Sequence, residues 1–426
     1  MKKAISKQNQ ALNLLTDPWL LTTQGTVSMI SALKHAKQLQ LVGDAKFQVC
    51  ALRLLLAACY VGGETSLRLL KNGVSVGTLE ALQTHESRFD LRGGYWICPD
   101  LPGKTDSLSR LVSTASTNNN PVFHVHTRDD EFLILPDWQI ANLTLEYQFF
   151  GLVAGNSALG YRFRSPGATA AIGLAKGQNL LETLALNLVP DAEPAVASWQ
   201  MPNLKAHDLR HQTRPAPKSI AERYTWIAQG MRFEDEGIVT ARGLKLEPLG
   251  DPMTAHFFNP KGEARVVKLI AENPYLTACA LKGWRTTACP TLTHAATLGI
   301  DHQILVVAQR NEDDPAIRLV ETRDGLFSVD ALDFDLASKM ERFYARLSSE
   351  HKKSHKSSFE LELERFPRFE IANVFLSSVQ DAIDANPKAK VEPTQVLSAT
   401  LENLGVQGQF ARFASMLEDT KHERVL

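Results

Sequence analysis

The longest apolar run of the chain is CALRLLLAACYV, Cys50–Val61, and it lies inside a strongly apolar stretch that starts at about Lys46. This composition predicts a helix. Arg53 stands in the middle of the run, which is also well short of the roughly 20 apolar residues that a bilayer-spanning helix needs. We therefore expect a helix buried in a protein core, not a membrane segment.

Length and composition predict an ordinary globular protein. The chain has 426 residues, more than one compact core usually holds, so two domains are expected. It is 44% hydrophobic and 22% charged, and 46 basic residues against 47 acidic ones give a formal net charge of -1. Overall charge thus does not indicate nucleic-acid binding, and any phosphate contact would have to come from local clusters.

Cysteine usage and the amino terminus favour a cytoplasmic protein. The five cysteines are scattered, odd in number and include no C-x-x-C pair, which supports neither a disulfide framework nor a thiolate zinc site. The start, MKKAISKQNQ, is charged but is not followed by an apolar segment long enough for a signal peptide.

Turn residues and apolar spacing predict mixed structure before residue 331. We expect an extended entry and a helix in DPWLLTTQGTVSMISALKHA, a hairpin over Val122–Leu135, a helix in NLLETLALNL, and a long surface connection from Pro190 to Pro217. Three short strands are expected. They are ATAAIGL, ARVVKLI and QILVVAQ.

From Ala331 onward apolar residues recur at helical spacing, as in Leu336, Met340, Phe343 and Leu347. The predicted fold class is α+β. A large mixed α/β domain over residues 1–330 is followed by a small helical bundle over residues 331–426.

Enzymatic motifs are weak. His207 and His211 are four residues apart with Asp208 between them, which could make a zinc hydrolase site, but the motif lies in a proline-rich, poorly helical context without an evident third ligand. His124 and His126 fit an exposed hairpin better than a metal site. The pair His351 and His355 fits a solvated basic loop better.

Glycine-rich segments match neither a dinucleotide fingerprint nor a nucleotide-triphosphate loop, and no Gly-x-Ser-x-Gly elbow occurs. The sequence therefore carries no common catalytic motif, and we expect no metal or cofactor.

A second pattern consists of polar residues placed in predicted loops and turns and at a strand end. In GYRFRSPG, Gly160–Gly167, two arginines alternate with aromatics between glycines. Each polar position alone fits an ordinary loop or turn, but together they suit a nucleic-acid surface, with guanidinium groups for phosphates and amides for base edges. The set comprises Asn118, Asn119, Asn120, Arg162, Arg164, Lys261 and Gln309.

Several segments, in this order, resemble the large subunit of the type I-E CRISPR surveillance complex, the CasA family of Cascade. They are NLLTDPWLLTTQG near the start, GQNLLETLALNL at mid-chain, YTWIAQGMRFEDEGIV and GDPMTAHFFNPKGE.

The resemblance implies a non-enzymatic DNA reader. Such a subunit recognises the protospacer-adjacent motif in double-stranded DNA, begins unwinding for R-loop formation in antiviral defence, and helps to recruit a helicase-nuclease. Its implied partners are the guide RNA, the target duplex, the helicase-nuclease and the backbone, small and handle-binding subunits, with no membrane. Sequence beyond the motif is read by guide pairing.

The resemblance also implies site residues. Lys261 matches a lysine finger for the minor groove, and Gln309 matches a glutamine wedge that parts the first base pairs. A loop against the motif matches Asn156, Ser157 and Gly160, and Arg162 and Arg164 would hold phosphates at its exit. The asparagines at 118–120 are expected to contact the RNA handle or the loop.

Two alternatives stay open from the sequence alone. One is the metal-dependent hydrolase that uses His207 and His211. The other is a scaffold protein without DNA contact.

Overall fold

In a computed structural model of the chain, the structure describes residues 12–111, 135–151, 155–235, 237–258, 261–267, 287–309, 316–321 and 327–329. The predicted helical bundle over 331–426, most of the predicted hairpin over Val122–Leu135, and Asn118, Asn119 and Asn120 lie outside these residues. Mixed helix and strand content is confirmed for the described part.

Helices in the described residues have the following bounds. They are α1 (Met29–Lys34), α2 (Ala45–Val61), α3 (Ser66–Asn72), α4 (Val76–Gln83), α5 (Asp137–Phe150), α6 (Leu180–Asn187), α7 (Ala206–His211), α8 (Ile220–Tyr224) and α9 (Pro290–Thr297). Short 3-10 turns add Ala36–Gln38, Glu86–Phe89, Leu108–Leu111, Pro166–Thr169 and Ser198–Gln200.

The strands are short, and most of them pair with an antiparallel neighbour. They are β1 (Leu20–Thr22), β2 (Gly25–Val27), β3 (Asn156–Ser157), β4 (Gly160–Tyr161), β5 (Ile172–Lys176), β6 (Gln229–Phe233), β7 (Ile238–Arg242), β8 (His256–Phe258), β9 (Ala264–Val266), β10 (Thr287–Ala288), β11 (Gln303–Gln309), β12 (Ala316–Glu321) and β13 (Phe327–Val329).

The chain divides into two compact units. One comprises the described residues up to Thr169, then Lys176–Pro252 and His294–Ile300. The other comprises Ala170–Ala175 with the described residues of Met253–Thr293 and those from Asp301 onward. The predicted boundary at residue 330 stays a prediction.

The first unit is built around α2, as the apolar run predicts. Asp44 caps its first turn by accepting a hydrogen bond from the backbone of Phe47 at 2.8 Å. All residues from Ala45 to Tyr60 are buried. The predicted apolar helix is therefore confirmed as the centre of a core.

Arg53 is compatible with that core because its guanidinium is paired at its edge and covered on its faces. Its Nη1 donates to Asp251 at 2.7 Å, and the group lies over the rings of Phe149 and Tyr224 at 3.7 and 4.3 Å from their centroids. Side-chain exposures of 2% and 1% make this a fully buried ion pair.

No single helix of the described residues is long and apolar enough to cross a membrane. Helices α2 and α3 reach that length only as a pair bent by 93°.

The segment from Pro190 to Pro217 differs from the predicted surface connection. It contains α7 and a 3-10 turn, and Trp199 within it is 1% exposed. Trp199 packs on Phe89 and Tyr95, and Arg88 donates from Nε to its carbonyl at 3.1 Å. The sequence pattern did not reveal that Trp199 is buried, because its contacts are with residues about one hundred positions earlier in the chain.

The second unit contains a four-stranded sheet in the order β13-β12-β11-β5 and a three-stranded sheet in the order β10-β8-β9. Strand β11 lies inside the four-stranded sheet and pairs antiparallel with β12. The register runs from Ile304 opposite Glu321 to Gln309 opposite Ala316. The predicted strands at ATAAIGL and QILVVAQ are confirmed as β5 and β11, and β9 covers the described start of ARVVKLI.

Candidate nucleic-acid interface

A hairpin with a two-residue loop lies in the first unit, at the residues where the resemblance implies a motif-reading loop. Strands β3 and β4 pair Asn156 with Tyr161 and Ser157 with Gly160. The Ser157 hydroxyl donates to the carbonyl of Gly160 at 2.8 Å and accepts from the backbone of Leu159 at 3.3 Å. Gly160 has a φ of +112°, a region that favours glycine. Ser157 thus shapes the turn, and Asn156 is exposed beside it.

The exit of this hairpin is held by a buried amide network. Gln229, 0% exposed, donates from Nε2 to the carbonyl of Phe163 at 2.8 Å and to the hydroxyl of Ser165 at 3.0 Å. Gln148 of α5 in turn bonds both the backbone N–H and the carbonyl of Gln229, at 2.9 and 2.8 Å. The path of the chain from residue 163 to residue 165 is therefore fixed.

The two arginines of GYRFRSPG have different surroundings. Arg162 is 6% exposed and donates from Nη2 to the carbonyl of Thr240 at 2.7 Å; burial lowers its pKa. Arg164 is exposed. In this arrangement Arg162 ties the hairpin to β7, whereas Arg164 is exposed at the surface.

Two further arginines flank the hairpin, and the sequence analysis missed both. Arg242, at the end of β7, has its guanidinium carbon 4.5 Å from the ring centroid of Phe163. Arg210 of α7 donates from Nη2 to the carbonyl of Ala158 at 3.5 Å. No local spacing signals these contacts, because they join positions about 50 to 80 residues apart.

Among the described residues, Arg164, Arg210 and Arg242 form no ion pair with a carboxylate. A cleft of about 270 Å³ borders the same segment, lined by residues 161–166 and 245–248. Lys245 and Glu247 in its wall pair with each other at 2.7 Å. Tyr161, at 61% exposure, stands at its edge. The hairpin therefore lies in a locally positive, partly aromatic surface although the whole chain is nearly neutral.

In the second unit, Lys261 is exposed in the turn between β8 and β9, and Gly262 beside it has a φ of +77°. Backbone hydrogen bonds fix the base of this turn. The N–H of Ala171 donates to the carbonyl of Val267 at 2.7 Å, and its carbonyl accepts from Ala255 at 2.9 Å. These three residues are buried with Cys289, so the turn projects from a small core.

Gln309 is the last residue of β11, paired with Ala316, which confirms its predicted place at a strand end. Its side chain lies outside what the structure describes.

The histidine pair at 207 and 211 lies on α7, so the prediction that this segment is poorly helical is wrong. The two rings are 4.5 Å apart. The carboxylate of Asp208 accepts from the backbone of Lys205 at 2.9 Å and from the hydroxyl of Thr213 at 2.7 Å, so it stabilises the ends of this helix. Over the described residues, no group of three or more His, Cys, Asp and Glu side chains could hold a metal ion. The other predicted histidine pairs, at 124 and 126 and at 351 and 355, are not among those residues.

Comparison with known proteins supports one family. The sequence matches the family model of the CRISPR-associated protein Cse1 over residues 13–275. A CRISPR-associated protein CasA/Cse1 from Thermus thermophilus is 34% identical over 188 residues, which are 41% of this chain and 38% of that relative.

Solved structures share the fold. Thermus thermophilus CasA (Cse1) has a TM-score of 0.63 at 21% identity, covering 96% of this chain and 98% of that one. Thermobifida fusca Cse1 has a TM-score of 0.61 at 18% identity, covering 96% and 86%. A chain of a CRISPR RNA-guided surveillance complex has a TM-score of 0.61 at 15% identity, covering 96% of this chain and 99% of that one.

The fold is thus that of CRISPR-associated proteins. Because the family model covers more than half of the sequence, the chain belongs to the Cse1 family, also called CasA. The resemblance found in the sequence is confirmed at the level of the family.

Proposed function

We propose that this chain is the large subunit of a type I-E-like CRISPR Cascade complex, that it recognises the protospacer-adjacent motif in double-stranded DNA, and that it starts duplex unwinding for R-loop formation. Family membership over residues 13–275 is the observation that carries the proposal. The likeness of fold to a chain of an RNA-guided surveillance complex supports assembly with a guide RNA and further Cascade subunits.

Local charge supports DNA contact at the hairpin. A neutral chain binds phosphates only where cations are concentrated and not cancelled by carboxylates. The arginines around Asn156–Tyr161 that have no carboxylate partner among the described residues meet that condition. A narrow turn with glycine at its end also allows close approach of its backbone to a groove.

Individual roles in the proposal are carried over from the family resemblance. In the proposal, Asn156 and Gly160 lie against the motif, Arg164 holds a phosphate, Lys261 enters the minor groove and Gln309 parts the first base pairs. Asn118, Asn119 and Asn120 would contact the RNA handle or the loop. Recruitment of a helicase-nuclease, with antiviral defence as the outcome, completes the proposed function.

The hydrolase alternative has less support. The backbone N–H of Lys205 and the hydroxyl of Thr213 donate to the carboxylate of Asp208 and lower its pKa, which makes it a weaker base. A scaffold without DNA contact is kept as an outcome of the test.

The test is reconstitution. The chain is expressed with its neighbouring genes, purified through a tag on another subunit, and assayed for bound RNA and for binding to duplexes that carry the guide-matched target behind randomised flanking motifs. We expect selective retention of a few motifs, lost when this chain is omitted. Equal retention of all motifs with the chain present would leave it a scaffold.

A further inference from the structure

The backbone of Arg242 is connected to both ends of the hairpin. Its N–H donates to the hydroxyl of Ser157 at 3.2 Å, and its strand partner in β6 is Gln229, which holds the carbonyl of Phe163. A residue fixed on both sides in this way keeps its Cα at a constant position relative to the loop.

The guanidinium of Arg242 is oriented but not satisfied. Its central carbon lies over the ring of Phe163, and its buried Nε has no hydrogen-bond partner in the part of the chain that the structure describes. A Cβ added at Gly160 would lie 3.3 Å from its Nη1, which places the group directly beside the hairpin. Within the described part of the chain, no carboxylate pairs with it.

Arg162 shows the contrast. It reaches the carbonyl of Thr240 and is 6% exposed, whereas Arg242, two positions further along β7 from Thr240, is only half-buried. An arginine stacked on an aromatic face keeps its N–H edge for a bidentate acceptor, either a carboxylate or a phosphate. In a DNA-binding subunit the phosphate is the acceptor at hand.

We infer that Arg242 is a backbone-phosphate contact for target DNA bound at the hairpin Asn156–Tyr161. The inference rests on the proposed function and adds to it a contact that replaces the one expected of Arg162. Phe163 is its positioning residue, because the ring fixes the plane of the guanidinium.

The experiment measures affinity of the assembled complex for motif-bearing duplex across a salt series. Arg242→Gln should reduce affinity about tenfold near physiological salt and flatten the slope of log affinity against log salt by about 0.9, the value for one lost phosphate contact. Correct and incorrect motifs should lose affinity by the same factor, because phosphates carry no sequence information. Arg242→Lys should keep the slope but recover only part of the affinity, because a lysine lacks the planar fork.

Arg232→Gln is the matched control. Arg232 lies in the same β6–β7 sheet, but its side chain pairs with Glu234. Its substitution should therefore leave the salt slope unchanged. Parent-like slope and affinity in Arg242→Gln would overturn the inference while leaving the proposed function intact, since the parent complex reports motif-dependent binding independently.

A second measurement needs no variant and decides the case if Arg242→Gln fails to assemble. The parent complex is treated with phenylglyoxal, and modification of Arg242 is read by mass spectrometry with and without duplex. Protection that depends on duplex supports the contact. Equal modification with and without duplex would overturn the contact. So would protection of Arg242 in the DNA-free complex relative to the isolated subunit.

Discussion

The hairpin at Asn156–Tyr161 and the turn that carries Lys261 are both short antiparallel connections, but they are anchored differently. Side chains hold the hairpin exit, through Gln229, Gln148 and Ser165. Backbone hydrogen bonds among Ala171, Ala255 and Val267 hold the base of the lysine turn. Substitutions in the buried amide network at the hairpin exit should therefore affect folding and binding together, whereas substitutions at the tip of the lysine turn should change binding with little effect on folding.

Gln229→Leu should produce the largest effect. The hydroxyl of Ser165, which is buried, and the carbonyl of Phe163, which is partly buried, would each lose a donor, and an unsatisfied buried group costs about 1–3 kcal/mol. We expect the free energy of unfolding to fall by about 2–3 kcal/mol in denaturant titrations. Gln83→Leu, at an exposed position at the end of α4, is the control and should stay near the parent value. Similar small changes in both variants would mean that side chains do not anchor the hairpin.

Lys261→Ala should have the opposite profile. The exposed side chain contributes little to folding, so stability should change by less than about 0.5 kcal/mol. Binding of target duplex by the assembled complex should weaken by about 1–3 kcal/mol if the lysine contacts the minor groove. Lys261→Arg, which keeps the charge, should fall between parent and alanine. Target binding at the parent level across a salt series would remove Lys261 from the DNA site.

Gln309→Ala tests whether this side chain separates the first base pairs of the target. Opening of a fully paired target should slow, and a target whose first base pairs are already mismatched should restore the parent rate, because separated strands need no wedge. Opening can be followed by a fluorophore placed next to the motif. Equal defects on paired and mismatched targets would contradict the wedge.

Sequence patterns predicted those parts of the fold that depend on nearby residues. The apolar helix α2, the strand that ends at Gln309 and the turn at Lys261 follow from apolar spacing and turn residues. The resemblance supplied the family and the expected site. Contacts over long sequence separation were missed. Trp199 lies buried in a proline-rich segment, and Arg242 reaches Phe163 from a strand about 80 residues later.

The smallest effect is expected from separating Arg162 and Arg164. The sequence analysis expects both arginines to hold phosphates, but in the structure Arg162 donates to a buried carbonyl and Arg164 is exposed. Arg164→Gln should therefore weaken target binding a few-fold, equally for correct and incorrect motifs, and flatten the salt slope by about one unit without a change in melting temperature.

Arg162→Gln should instead lower the melting temperature of the subunit, because the carbonyl of Thr240 loses a buried charged donor. Its salt slope, measured on the fraction that still assembles, should equal that of the parent. Melting temperature, subunit stoichiometry and salt slope taken from one preparation of each variant separate the two roles. If Arg162→Gln flattened the slope while melting at the parent temperature, Arg162 would reach DNA after all, and the hairpin would have to open away from β7 when the duplex binds.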